Sequence, residues 1–115
     1  MYLGQREYLK TERLLRPALS AYEKTAADSW LRFNTESQLG ASLAGQGKYE
    51  EAEPLLVAGY GGLLQRATSI PAGRRSELET SGTRLIQLYQ DWGRPEKAAE
   101  WSKKIQAIGN GFKPK

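Results

Sequence analysis

The chain contains no cysteine and no histidine among its 115 residues. Without cysteine, a disulfide framework and a thiolate nucleophile are both excluded. Without histidine, it lacks the commonest general base near neutral pH and the commonest metal ligand. It also lacks any unbroken apolar run of about 18 residues, so it carries no membrane-spanning segment. The opening residues, Met1 to Glu7, hold no apolar stretch of the kind a secretion signal needs. These absences set the expectation of a cytoplasmic, non-enzymatic chain with no catalytic residue, no cofactor and no metal.

Two local patterns could have argued otherwise. Gly59-Tyr60-Gly61-Gly62 is glycine-rich, but a phosphate-binding loop also needs a lysine followed by serine or threonine. It lies within a helical pattern besides. Glu50, Glu51 and Glu53 cluster like paired carboxylates. They also stand where a helix begins, and negative charge there is favoured by the backbone dipole. The second reading is preferred.

What is present is an ordinary globular mixture, 39% hydrophobic and 26% charged. Lys and Arg number 17 against 13 Asp and Glu, giving a net charge of +4. One reading is attraction to nucleic acid or another acidic partner, with Arg74, Arg75, Lys103 and Lys104 as the contact cluster. The other is solvated helix faces plus a basic tail over 110–115 that includes Lys113 and Lys115.

Apolar residues recur at steps of three and four in five segments, the signature of helices with one buried face. The spacing predicts a first helix over 7–26, through Tyr8, Thr11, Leu15, Ala18 and Tyr22. Pro17 lies inside it and should bend it. A second helix is predicted over 29–45, with Asp28 or Ser29 as N-cap. A third covers 48–66, with Tyr49, Ala52, Leu56, Gly59, Tyr60 and Leu63 on one face, and Gly59, Gly61 and Gly62 each weaken it by about 1 kcal/mol relative to alanine. Residues 68–74, including Ile70-Pro71, form a linker. A fourth helix covers 75–92. The fifth starts at Pro95, a residue suited to a first helical position, and ends at Gly109-Asn110-Gly111.

The segments repeat. Gly4-Gln5-Arg6-Glu7-Tyr8 with Glu12 to Leu15 aligns with Gly45-Gln46-Gly47-Lys48-Tyr49 with Glu53 to Leu56, an offset of 45 − 4 = 41. A third copy falls at Leu85, Tyr89, Gly93, Pro95 and Ala98. Its turn glycine lies 93 − 47 = 46 residues after Gly47. Gly47 permits a left-handed turn between antiparallel helices. Gly40 and Ala52 leave room for two helices to cross closely. Leu39, Leu43 and Leu56 fill the space between helices.

The stretch Leu39-Gly40-x-x-Leu43, then Gly47-x-Tyr49-x-x-Ala52-x-x-x-Leu56, resembles the tetratricopeptide repeat. Both offsets exceed that family's usual period of about 34, and in this the chain resembles the extended repeats of kinesin light chains. The resemblance implies an all-α fold: a right-handed α-solenoid of antiparallel helix pairs, about five helices in all. Residues 1–28 would be the second helix of a truncated unit and 29–67 a full unit. A divergent unit would occupy 75–109, with Pro95 where the family has tyrosine and with Gly82 in place of a large residue. The chain then reads as a segment of a longer array. Trp30-x-x-Phe33-Asn34-Thr35 and Trp92-Gly93-x-Pro95-Glu96-Lys97-Ala98-Ala99-Glu100-Trp101 resemble the C-terminal repeat regions of some bacterial serine/threonine protein kinases. The kinase motifs themselves are absent.

The resemblance further implies a protein-interaction scaffold with a groove lined by the first helix of each unit. Carried over by position, the lining is Asn34, Ser37, Gln38 and Ala41 in the full unit. In the last unit it is Thr80, Thr83, Arg84 and Gln87, with Gln90 at its margin. Such amides can bond a peptide backbone. Some members of the family clamp a terminal carboxylate with lysine and asparagine, but Ser37 and Ala41 stand at those positions. The first helix lacks a preceding partner. Tyr8, Leu15, Leu19 and Tyr22 are therefore expected to leave an apolar patch that favours weak self-association.

Overall fold

A computed structural model describes the backbone of residues 3–112 and the side chains of residues 7–108. Among the described residues there are five α-helices and no strand: α1 Leu3–Thr25, α2 Trp30–Gly45, α3 Tyr49–Gln65, α4 Ser76–Asp91 and α5 Pro95–Phe112. The fold is all-α, as the spacing predicts. Each helix packs on the next in chain order, and α2 also touches α4 directly. The shortest dimension of the molecule is 21 Å, about two helix diameters.

Local chemistry sets the helix ends. Ser29 caps α2, its hydroxyl accepting from the Leu31 N–H at 3.1 Å. The α2–α3 and α4–α5 turns are built alike. Gly47 (φ 81°) and Gly93 (φ 75°) are the glycines with positive φ among the described residues. The Lys48 N–H reaches back to the Leu43 carbonyl at 2.9 Å, and the Arg94 N–H to the Tyr89 carbonyl at 2.8 Å. Each turn therefore closes a helix with the same six-to-one bond around a left-handed glycine. Two bounds differ from expectation. Helix α1 starts at Leu3 rather than near residue 7. Helix α5 runs through Gly109-Asn110-Gly111 to Phe112 instead of ending there. Glycine costs a helix about 1 kcal/mol but does not forbid it. Tyr2, Lys113 and Lys115 lie outside the described residues.

The core is continuous from α1 to α5. It comprises Leu19, Leu39, Leu43, Ala52, Leu56, Tyr60, Leu85, Leu88, Tyr89 and Ala98, with Tyr49 packed against it. The helix crossing between α2 and α3 is tight. A Cβ on Gly40 would lie 2.7 Å from Leu56 Cγ and 3.2 Å from the Ala52 carbonyl. Gly40→Leu and Ala52→Leu are each expected to destabilise by about 1–3 kcal/mol through overpacking. A denaturation midpoint unchanged in both variants would contradict this crossing.

Glycine also admits other neighbours. Gly82 faces Ile105 and Tyr60, which a Cβ there would meet at 3.2 and 3.3 Å. The linker is more ordered than its composition suggests. It folds into two short 3-10 turns, Ala67–Ser69 and Ala72–Arg74, and the intervening Ile70 is only 2% exposed.

The apolar patch expected on α1 is partly covered. Leu19 is buried among the core residues. Leu15 and Tyr22 are half-buried. Tyr8 lies across Gly45, whose added Cβ would strike its ring. Among the described residues, the large apolar side chains left exposed are Tyr8, Leu9 and Leu14, the last at 70%. No helix of the described residues is long and apolar enough to cross a membrane.

Candidate partner-binding face

The groove expected from the sequence divides between surface and interior. Gln38 and Ala41 on α2 are half-buried, while Thr80, Thr83 and Gln87 on α4 are exposed. Gln90, at the margin, is exposed as well. Asn34 and Ser37 are not open to a partner. They are 4% and 0% exposed. Ser37 lies between Gly59 of α3, which packs on its backbone, and Arg84 of α4, which bonds its hydroxyl. A polar side chain that faces a neighbouring helix carries the same sequence pattern as one that faces water.

A side-chain bond ties the two helices at this face. The Arg84 guanidinium donates from Nη1 to Ser37 Oγ at 3.1 Å. Other groups on the face are occupied within their own helix. Thr83 Oγ1 donates to the Glu79 carbonyl at 3.1 Å, and Gln87 Nε2 donates to Asp91 Oδ1 at 2.8 Å. Buried Asn34 Oδ1 and Ser81 Oγ have no partner among the described residues. Burial pulls the Arg84 guanidinium below its ordinary value, and Glu77 acts weakly in the other direction. Glu77 itself is held by Arg74 at 3.1 Å.

The residues read as packing positions lie as follows. Leu39, Leu43, Ala52, Leu56, Leu85, Tyr89 and Ala98 are buried, and Gly40 is buried with them. Gly47 and Gly93 occupy the two turns. Tyr49 is half-buried and stacks on Trp92 with ring centroids 5.8 Å apart. The acidic run at the start of α3 does not form a carboxylate pair. Glu50 and Glu51 are exposed in the first turn, whereas Glu53 accepts the Tyr89 hydroxyl at 2.7 Å.

The basic cluster considered for nucleic acid lies on separate elements. Arg74 ends the second short turn and lies over the Trp30 ring. Arg75 caps α4. Lys103 and Lys104 belong to α5, with Lys104 4.8 Å from the Trp101 ring centroid.

Two acidic residues near the α1–α2 contact titrate in opposite senses. Glu12 is held below the usual carboxylate range, first by the Gln46 amide and then by Arg16. Glu36 is 5% exposed and is pushed up by burial, although Arg32 lies 3.3 Å away and opposes the shift. Glu23 on α1 adds to the rise. A raised folded-state value means that ionised Glu36 destabilises the fold. That cost is absent below the ordinary carboxylate range and complete above the raised value. Glu36→Gln is therefore expected to raise the denaturation midpoint at pH 7, with the gain shrinking as the pH falls from the raised value and gone below about 4. A midpoint lowered at pH 7 would show that the Arg32 pair outweighs burial.

Sequence reasoning missed the Ser37–Arg84 bond, the buried Ile70 and the interhelical role of Gly62. The last of these had a signal: glycines three apart lie on one helix face. Compared with family models, with curated proteins and with solved structures, the chain matches none.

Proposed function

We propose that this chain is a protein-interaction scaffold, a right-handed solenoid of tetratricopeptide type that holds a peptide segment along α2 and α4. The observation that carries the reading is the Arg84–Ser37 bond, which joins side chains 47 residues apart on the face where the sequence places a groove. Two further features support it. The α2–α3 and α4–α5 turns repeat one closing geometry, and α2 touches α4 as well as its chain neighbours. In a stacked array, corresponding helices of successive units meet in this way. The contact residues are Gln38, Ala41, Thr80, Thr83, Arg84 and Gln87.

The test uses heptapeptides selected from a random library on the immobilised chain, then synthesised. Joint replacement of Gln38, Thr83 and Gln87 by alanine is expected to weaken their binding by about tenfold or more. Circular dichroism of the variant should match that of the parent. Affinity left intact would remove this face from consideration.

A further inference from the structure

Arg84 is bound far less completely than its surroundings require. A guanidinium carries five N–H donors. Among the described residues Arg84 makes one hydrogen bond, to the neutral hydroxyl of Ser37. None of the ion pairs there includes it. It is nonetheless half-buried. A desolvated charge is normally paired with an opposite one. Arg32 and Arg66, the other half-buried arginines among the described residues, each have a carboxylate within 4.0 Å.

The neighbourhood leaves the guanidinium accessible to a ligand. Glu77, the acid whose charge acts on Arg84, is already engaged by Arg74. The unspent donors of Arg84 thus lie on the face proposed above for a peptide.

From this we infer that Arg84 anchors an aspartate or glutamate side chain of the bound peptide, a selectivity that rests on the proposed groove. The charge balance favours a carboxylate over a phosphate. One guanidinium matches one monoanion in a two-pronged pair, whereas a phosphate of nearly two charges calls for a cluster of cations. Ser37 fixes one edge of the guanidinium and leaves the rest of the fork unused. Partial burial has already removed part of its hydration, so less is lost when the carboxylate docks.

The experiment uses the selected peptides capped at both ends, which removes any terminal carboxylate. The expected result is an Asp or Glu at one fixed position. Its change to Gln should weaken binding about tenfold or more, as loss of a charge-assisted bond implies. Arg84→Gln should produce the same loss, and the Gln peptide should be insensitive to that variant, since the two changes remove one interaction. Arg84→Lys should retain the acidic preference with weaker affinity, which separates loss of charge from loss of fold. Peptides that depend on Gln38 and Gln87 but show no acidic preference would overturn the anchor and leave the groove standing. Tighter binding when phosphoserine replaces the acid would overturn the assignment to a carboxylate. Peptides indifferent to all these variants, or a library without binders, would overturn groove and anchor together.

Discussion

Gly59→Ala is expected to lower the unfolding free energy by about 1–3 kcal/mol, while Gly61→Ala, on the same helix, is expected to raise it by up to about 1 kcal/mol. Both changes add the same methyl group and the same gain in helix propensity. They differ in what the methyl meets. At Gly59 it would lie 2.8 Å from the Ser37 nitrogen, 2.9 Å from the Phe33 carbonyl oxygen and 3.0 Å from the Ser37 Cα. All three are backbone atoms of α2, so no side-chain rotation relieves the clash and the helices must separate. At Gly61 nothing lies within 4 Å. Gly62 is intermediate: its Cβ would strike the Phe33 ring, which could turn only by leaving Arg32 and Arg66, both stacked over it. Chemical denaturation followed by circular dichroism reads the three variants side by side. A stabilised Gly59→Ala would mean that α3 does not approach α2 this closely.

This contrast also shows what a sequence can and cannot say. Read alone, Gly59, Gly61 and Gly62 are three weaknesses in one helix, with Gly59 on its apolar face. Their roles separate only when Phe33 and Ser37 are brought against them, and that contact links residues more than twenty positions apart. Features governed by near neighbours were read more successfully. The five helices follow from apolar steps of three and four. The turn glycines follow from the steric cost of a left-handed backbone for any residue with a Cβ. The Ser29 cap follows from the need to satisfy an N–H left free at a helix start. The candidate face is legible only in part: Asn34 and Ser37 are buried in the structure, whereas Gln38 is half-buried and Thr83 exposed. Ile70 escaped as well. Its neighbours spell a turn, yet its side chain is in the interior.

Tyr89→Ala is expected to cost about 3–5 kcal/mol, the range for removing a large buried aromatic. Tyr89 is 1% exposed. Its ring stacks on Trp92 with centroids 6.4 Å apart, and Trp92 in turn stacks on Tyr49. Its hydroxyl reaches across to α3 and donates to Glu53 Oε2 at 2.7 Å. Tyr89→Phe isolates that last bond. It keeps the stack and is expected to cost about 1.5–3 kcal/mol, as for a hydrogen bond to a charged acceptor. Titration supplies an independent check. Burial first, and then the Glu53 carboxylate, push the Tyr89 hydroxyl up from 10.0 to about 12. The folded state therefore holds this proton more tightly than the unfolded chain does. The resulting stabilisation is complete below pH 10 and is lost as the pH rises from 10 to about 12. Phenylalanine has no proton to lose, so the stability gap between parent and Tyr89→Phe should stay constant from pH 7 to 9 and shrink between pH 10 and 12. The comparison must be made as a difference, because Tyr60 is also pushed up by burial and contributes equally to both proteins. A gap that stays constant through pH 12 would show that Tyr89 ionises in the folded state as readily as in the unfolded chain, and that the link from α4 to Glu53 does not hold in solution.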